Sequence, residues 1–453
     1  MWYLLYNSLL LLVSPIVLIV LLAKRRCRRG LPQRLGLVGE APSNQAGGTS
    51  DHVIWIHAVS LGEVVAVAPL VRDLRRRYPA SRLIVSTVTE TGREAVEQRL
   101  EGIAEHRYAP LDFPWVVNQV IERINPALYV FVETELWPNL LRSLRRRNIP
   151  SILVNGRLST RSFERQRLPV IRNFYRTMLN MISCCLMQSE RDARRMVALG
   201  AEPERVRCTG NIKFDQPVPE VKADGGGISK ASLGVSDPEQ LLVAGSTHPG
   251  EEEALVTAYQ SLSAEWPDLL LVLAPRHIER AAQVEQMVRS RGLTVSRRST
   301  GEAGQMVGSG PRVLILDTRG ELALLYRDAV VAFVGGTLVP IGGHNLLEPA
   351  VWGKPVFFGP HTDHCAEVAA LLLNAQGGRV VQDALHFAQA LRELLRDPEA
   401  LRRMGQAAQQ VVADNQGALQ RTADIIATFL PRRATPAAPS AAERSRELSS
   451  RQS

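Results

Sequence analysis

The chain has 453 residues, 45% apolar and 22% charged, which excludes a disordered body and leaves room for two domains with cores of their own. Its net charge of +9 suits acidic partners, but only 5% of residues are aromatic and the basic residues are not interleaved with them. That argues against a nucleic-acid partner and for a membrane or a phosphate-bearing ligand. Five cysteines, an odd number without a CxxC pair, point to reduced thiols in a cytoplasmic compartment.

Residues 2–23, WYLLYNSLLLLVSPIVLIVLLA, carry no charge. As a helix they reach about 33 Å, enough to cross a bilayer core of about 30 Å. The KRRCRR cluster at 24–29 then assigns the body that follows to the cytoplasmic side. Residues 1–29 are therefore expected to be a membrane anchor with its basic flank, spanning the bilayer or lying in its interface beside anionic lipid. Residues 30–50, rich in Gly, Pro, Ser and Asn, read as a linker.

From residue 51 short apolar runs alternate with amphipathic ones. VIWIHAV (53–59), RLIVSTV (82–88), ALYVFVE (127–133), SILVN (151–155) and ISCCLMQ (182–188) read as buried strands, with helices between them. The pattern breaks over 214–240 and resumes with LLVAGST (241–247), LLLVLAP (269–275), RVLILD (312–317), AVVAFVGG (329–336) and KPVFFG (354–359). The expectation is an α/β chain of two doubly wound, Rossmann-like domains, 51–218 and 219–430, facing a central cleft, with a disordered tail at 431–453. Ligands bind beyond the carboxyl ends of such strands, so the residues just after each strand carry the chemistry.

After the first strand comes Ser60-x-x-Glu63. This is the spacing of a capping box, yet a carboxylate at a helix start facing a cleft also suits a general base, and local sequence leaves both readings open. In ETELWPN, Glu133 and Glu135 either bind hydroxyls or merely enrich a first helical turn in negative charge. Lys213, in TGNIKFD, lies at the expected domain junction. In the second half Arg276 follows a strand in APRHIER, where a guanidinium can grip a phosphate. DTRGELALLY places Gly320 at a helix start, and VGGTLVPIGGHNLLEPA offers glycine amides suited to a phosphate, with Glu348 for ribose hydroxyls. HTDHC (361–365) has metal-like spacing but no second cluster to complete a site.

HAVSLGE, ETELWPN, TGNIKFD, PRHIER, TRGEL and GGHNLLEP, in that order, resemble the 3-deoxy-D-manno-octulosonic acid (Kdo) transferases of lipopolysaccharide biosynthesis. The resemblance runs from the N-terminal apolar segment to about residue 425. It implies a GT-B fold and an inverting, metal-independent transfer of Kdo from CMP-Kdo to the lipid A precursor lipid IVA at the inner membrane, with no cofactor. It implies Glu63 as the base, with Glu133 and Lys213 stabilising the transition state. It implies CMP contacts from Pro275 and Arg276, from Arg319, Gly320 and Glu321, and from Asn345, Leu346, Leu347 and Glu348. Relatives often carry a methionine-like residue at position 319 and a proline at 346. At those two positions the resemblance carries over the backbone rather than the side chain.

Overall fold

The computed structural model describes residues 2–23, 28–37, 52–216, 228–235, 237–300 and 312–430. Its chain divides into two compact units, residues 1–215 with 417–453, and residues 216–416.

The first unit is built on a seven-stranded sheet of β1 (Val53–His57), β2 (Arg82–Thr87), β3 (Glu105–Tyr108), β4 (Leu128–Val132), β5 (Ser151–Gly156), β6 (Cys184–Met187) and β7 (Val206–Cys208). Every pairing is parallel, in the order β3-β2-β1-β4-β5-β6-β7. The runs are apolar throughout because both faces are covered. Ile54, Ile56 and Val130 pack into one core, and Trp55, Tyr129 and Phe131 into another on the opposite face, as a period of two requires. Truncating a fully buried side chain such as Ile56 to alanine is worth roughly 2–5 kcal/mol. The strand order reverses between β1 and β4, and the loops leaving the carboxyl ends of these neighbours open the crevice used for ligands in such sheets.

The second unit repeats the plan with β8 (Gln240–Thr247), β9 (Leu269–Pro275), β10 (Thr294–Arg297), β11 (Arg312–Ile315), β12 (Ala329–Val334), β13 (Val356–Phe358) and β14 (Gly378–Val380). The order is β10-β11-β9-β8-β12-β13-β14, again all parallel, with its reversal between β8 and β12.

The helices include α1 (Trp2–Ala23), α2 (Leu61–Arg77), α3 (Pro138–Arg146), α4 (Pro169–Leu179) and α5 (Ala418–Ala427). Helix α5 corrects the expected boundaries of 51–218 and 219–430. The chain returns at Gly417, and Ala423, Ile426 and Leu430 are buried in the core of the first unit. The Asp215 carboxylate fixes the return, accepting the backbone N–H groups of Gly417 at 2.6 Å and Leu419 at 2.7 Å. The expected linker 30–50 is also partly structured. Residues Leu31–Arg34 form a helical turn, and the buried Arg34 donates to the Val88 carbonyl. Most of that linker and the expected disordered tail lie outside the described residues. Among the described residues no helix is long and apolar enough to cross a membrane.

Candidate active site

Glu63 sits in the first turn of α2, three residues after β1 and Ala58 give way to Ser60. Its carboxylate accepts the Val59 backbone N–H at 2.8 Å and the Ser60 hydroxyl at 3.2 Å. This is not the capping box that the spacing offered, because the carboxylate takes the N–H of the residue before the cap rather than that of Ser60. Ser60 occupies the cap position but its side chain holds no helix N–H; it donates to the glutamate instead. The helix dipole and both hydrogen bonds favour the ionised carboxylate. Burial outweighs them, and with the like charges of Glu133 and Glu135 it lifts the carboxyl from its ordinary 4.5 to about 7. A dipole-lowered value, the expectation for a helix start, is thus overruled by desolvation.

Glu133 immediately follows β4, across the strand reversal from the loop that carries Glu63. It takes a left-handed backbone, φ 57°, held by its N–H to the Val154 carbonyl at 3.0 Å. A non-glycine residue in that region costs about 1–3 kcal/mol, a strain that clusters at functional positions. Its carboxylate lies 3.8 Å from the Lys213 ammonium, each side chain about one-third exposed. Glu135 follows two residues on, and burial and then Glu133 push its carboxyl upward. So Glu63, Glu133 and Lys213, from three loops 70–150 positions apart in the sequence, converge on one rim of the first unit.

Lys213 owes its place to three amides that sequence reading did not single out. The buried Asn155, at the end of β5 with φ 54°, accepts the Ile212 N–H at 3.1 Å. Gln188 donates to the Asn155 carbonyl at 3.0 Å and accepts from Asn211 at 3.4 Å, and Asn211 in turn accepts the Lys213 N–H at 3.0 Å. The signal was a polar amide immediately after each of two apolar runs, LVN and CLMQ.

In the second unit a pocket of about 340 Å³ opens over the carboxyl ends of β8, β9 and β11. Pro275, Arg276, Arg319 and Gly320 are on its wall together with Ser246 and Thr318. Arg319 is largely exposed and leans to Glu279 at 3.4 Å. Glu321 is engaged with Arg298 at 3.3 Å and with the Thr318 hydroxyl. Asn345, Leu346, Leu347 and Glu348 are not on that wall. Asn345 donates to Glu348 at 3.3 Å and accepts the Leu347 N–H at 3.2 Å, while Leu346 and Leu347 are buried. The helices beginning at Leu322 and Leu347 have four residues each, too short to lend much dipole.

The glycine loop after β12 is already filled. The fully buried Glu251 accepts the N–H groups of Gly336 at 2.7 Å, Thr337 at 3.0 Å, Leu338 at 2.9 Å and His248 at 2.9 Å. Of the glycine amides that the sequence offered to a phosphate, that of Gly336 is spent on this internal carboxylate, and those of Gly335 and Gly343 go to the Gly245 and Gly336 carbonyls, both at 2.8 Å. Beside it the Nε2 atoms of His248 and His344 lie 2.8 Å apart on parallel rings. Burial pushes both imidazoles down, His344 to about 4, so at neutral pH one nitrogen donates and the other accepts. Among the described residues no group of three or more His, Cys, Asp or Glu side chains is placed to hold a metal ion.

Residues 29–216 match the family model for 3-deoxy-D-manno-octulosonic-acid transferase (kdotransferase). The chain is 38% identical over 442 residues to a 3-deoxy-D-manno-octulosonic acid transferase of Haemophilus influenzae, covering 95% of this chain and all of that one. It is 32% identical to the Bordetella pertussis transferase, covering 90% of this chain and 95% of that one. Among solved structures it matches a UDP-GlcNAc 2-epimerase of Neisseria meningitidis (TM-score 0.57, 13% identity, 83% of this chain and 99% of that one). It also matches the glycotransferase of kitacinnamycin (TM-score 0.52, 17% identity, 84% and 99%). These two likenesses establish the two-domain GT-B architecture, and the sequence relationships establish the rest: the chain belongs to the 3-deoxy-D-manno-octulosonic acid transferase family and is a Kdo transferase of lipopolysaccharide biosynthesis.

Proposed function

We propose that the protein transfers Kdo from CMP-Kdo to lipid IVA with inversion at the anomeric carbon, and that Glu63 takes the proton from the acceptor hydroxyl. The observation that carries this reading is the Glu63 carboxyl itself. A base with a value near 7 is half ionised at working pH and still strong enough to accept a proton in the transition state. Two hydrogen bonds hold it in one orientation, so little reorganisation is needed at the moment of attack.

The acceptor oxygen attacks the anomeric carbon as its proton passes to Glu63, and the bond from that carbon to the phosphate oxygen breaks with the electron pair leaving on CMP. Lys213, paired with Glu133, supplies positive charge on the first unit's rim for the donor's carboxylate as the transition state forms. In the second unit Arg276 and the backbone around Gly320 offer donors to the departing phosphate. The sugar carboxylate, the phosphate of the donor and the phosphates of the acceptor give the chain's excess positive charge its targets. No metal or cofactor is required by this scheme.

The test is CMP release from CMP-Kdo and lipid IVA by purified protein. Glu63→Gln is expected to lower kcat by about 10²–10⁴ with the far-ultraviolet circular dichroism unchanged. A variant that turns over at the wild-type rate would reduce Glu63 to a helix cap.

A further inference from the structure

The second unit holds another pocket, at the other end of its sheet. The pocket that carries Arg276 opens over the carboxyl ends of β8, β9 and β11. This one, of about 470 Å³, opens at the amino ends of β8, β12 and β13. Gln240 begins the first of these strands, Ala329 begins the second, and Lys354 lies just ahead of the third. The helix Pro398–Asn415 closes one side with Leu401 and Gln406. The transfer chemistry proposed above uses none of these residues.

The walls are held in place. Gly405 lets the helix come against the turn before β13, since a Cβ there would collide with the Gly353 carbonyl. Gly353 itself takes a left-handed backbone, φ 67°, which turns the chain into Lys354. The half-buried Trp352 is fixed by its indole N–H, which donates to the Ala323 carbonyl at 2.8 Å.

The charges on the wall are not balanced. Asp328 accepts the Lys230 backbone N–H at 2.8 Å and pairs with Arg327 at 2.9 Å. Glu239 pairs with Arg312, and the Lys230 ammonium with Asp237. Arg402 lies 3.9 Å from Glu399. Lys354 differs. It is half-buried, and among the described residues its ammonium has neither an ion pair nor a hydrogen bond. Burial pushes that ammonium down by more than the more distant Asp328 carboxylate pushes it up. A cation drawn partly out of water without a partner is unfavourable, and an anion placed beside it relieves the penalty.

We propose that this pocket binds a small acidic sugar, one bearing a phosphate or a carboxylate group, with the anion on Lys354 and the sugar ring against Trp352. The sign of the ligand follows from the wall: both carboxylates are engaged and one cation is not, which selects an anion over a metal ion or an amine. The body of the ligand follows from size and lining. The space is more than a bare phosphate fills. The Gln240 and Gln406 side chains offer donors and acceptors to hydroxyls, while Trp352 and Leu401 offer an apolar surface to the C–H face of a ring. Because the two pockets sit at opposite ends of β8, one can be filled while the other is occupied.

Titration calorimetry on the purified full chain tests this, with glucose 1-phosphate and glucuronate as probes and glucose and inorganic phosphate as controls. At least one acidic sugar is expected to bind with a Kd below about 1 mM, and the tighter of the two identifies the anion. Glucose and inorganic phosphate are each expected to bind at least about tenfold more weakly. Lys354→Met is expected to weaken binding about 10–100-fold and to melt no lower than wild type, since it removes an unpaired cation. Lys354→Arg is expected to keep binding within about threefold. Gln406→Glu, at an exposed helix position, sets a negative charge on the wall and is expected to weaken binding about tenfold, which reads the site even where Lys354→Met does not fold. Arg276→Ala is expected to leave this binding unchanged, since Arg276 lies in the other pocket. The proposal is overturned if neither acidic sugar binds, if glucose or inorganic phosphate binds equally well, if binding survives Gln406→Glu and a folded Lys354→Met, or if it is lost with Arg276→Ala.

Discussion

Replacing Glu63 by glutamine should make the protein more stable and far less active at the same pH. In the folded protein burial lifts this carboxyl from its ordinary 4.5 to about 7, whereas in the unfolded chain it keeps the ordinary value. The folded form therefore holds the proton more tightly, and the stability associated with it is fully present below about pH 4.5 and is lost as pH rises through 7. The full difference corresponds to about 3.4 kcal/mol at most. Because the group remains partly open to solvent, screening reduces this to about 1–2 kcal/mol. Glutamine keeps an acceptor for the Val59 N–H but has no charge to bury. It forfeits a helix-dipole term of about 0.3–1 kcal/mol, which is the smaller effect. At pH 8, Glu63→Gln should thus raise the melting temperature of the first unit by about 2–6 °C, an advantage that shrinks towards zero near pH 4.5. The assay is differential scanning calorimetry at the two pH values beside CMP release. The kcat/KM of the wild type should rise with pH to a plateau through a midpoint near 7. If the variant melts lower than wild type by about 1 kcal/mol at every pH, as removal of a helix cap does, and remains active, the reasoning about burial and basicity is wrong.

Three further outcomes follow from the geometry. Arg276→Ala, which strips a charged donor from the pocket wall, should weaken CMP binding in titration calorimetry about 10–100-fold, the value of a charge-assisted hydrogen bond. Asn155→Gly preserves the left-handed backbone but leaves the buried Ile212 N–H without its acceptor. It should cost about 1–3 kcal/mol in urea unfolding and lower kcat more than it changes KM, since the segment it holds carries Lys213. Glu251→Ala strands four backbone N–H groups, so the second unit should lose about 3–5 kcal/mol, seen as an earlier separate transition in calorimetry.

The central strands of both sheets were legible in the sequence because a parallel strand covered on both faces must be apolar along its whole length. VIWIH, LYVFV, LLLVLAP and AVVAFV satisfy that and form β1, β4, β9 and β12. The four strands that no apolar run announced, β3 (EHRY), β7 (VRC), β10 (TVSR) and β14 (GRV), are the four sheet edges. An edge strand is short and borders solvent, so charged residues suffice there and periodicity carries no signal. The candidate site residues were visible as polar groups after strands, because that is where a doubly wound sheet exposes backbone and side chains to a ligand.

Local sequence determined that this chain makes two doubly wound sheets and which polar residues follow their strands. Tertiary structure alone decided what each loop does. Glu63 became basic because distant residues bury it. The amide of Gly336 is taken by Glu251, 85 positions away, and those of Gly335 and Gly343 by backbone carbonyls. Helix α5 joined the first unit because its apolar face found a core there. Desolvation, charge proximity and burial all depend on neighbours brought together by folding, and no spacing along the chain encodes them.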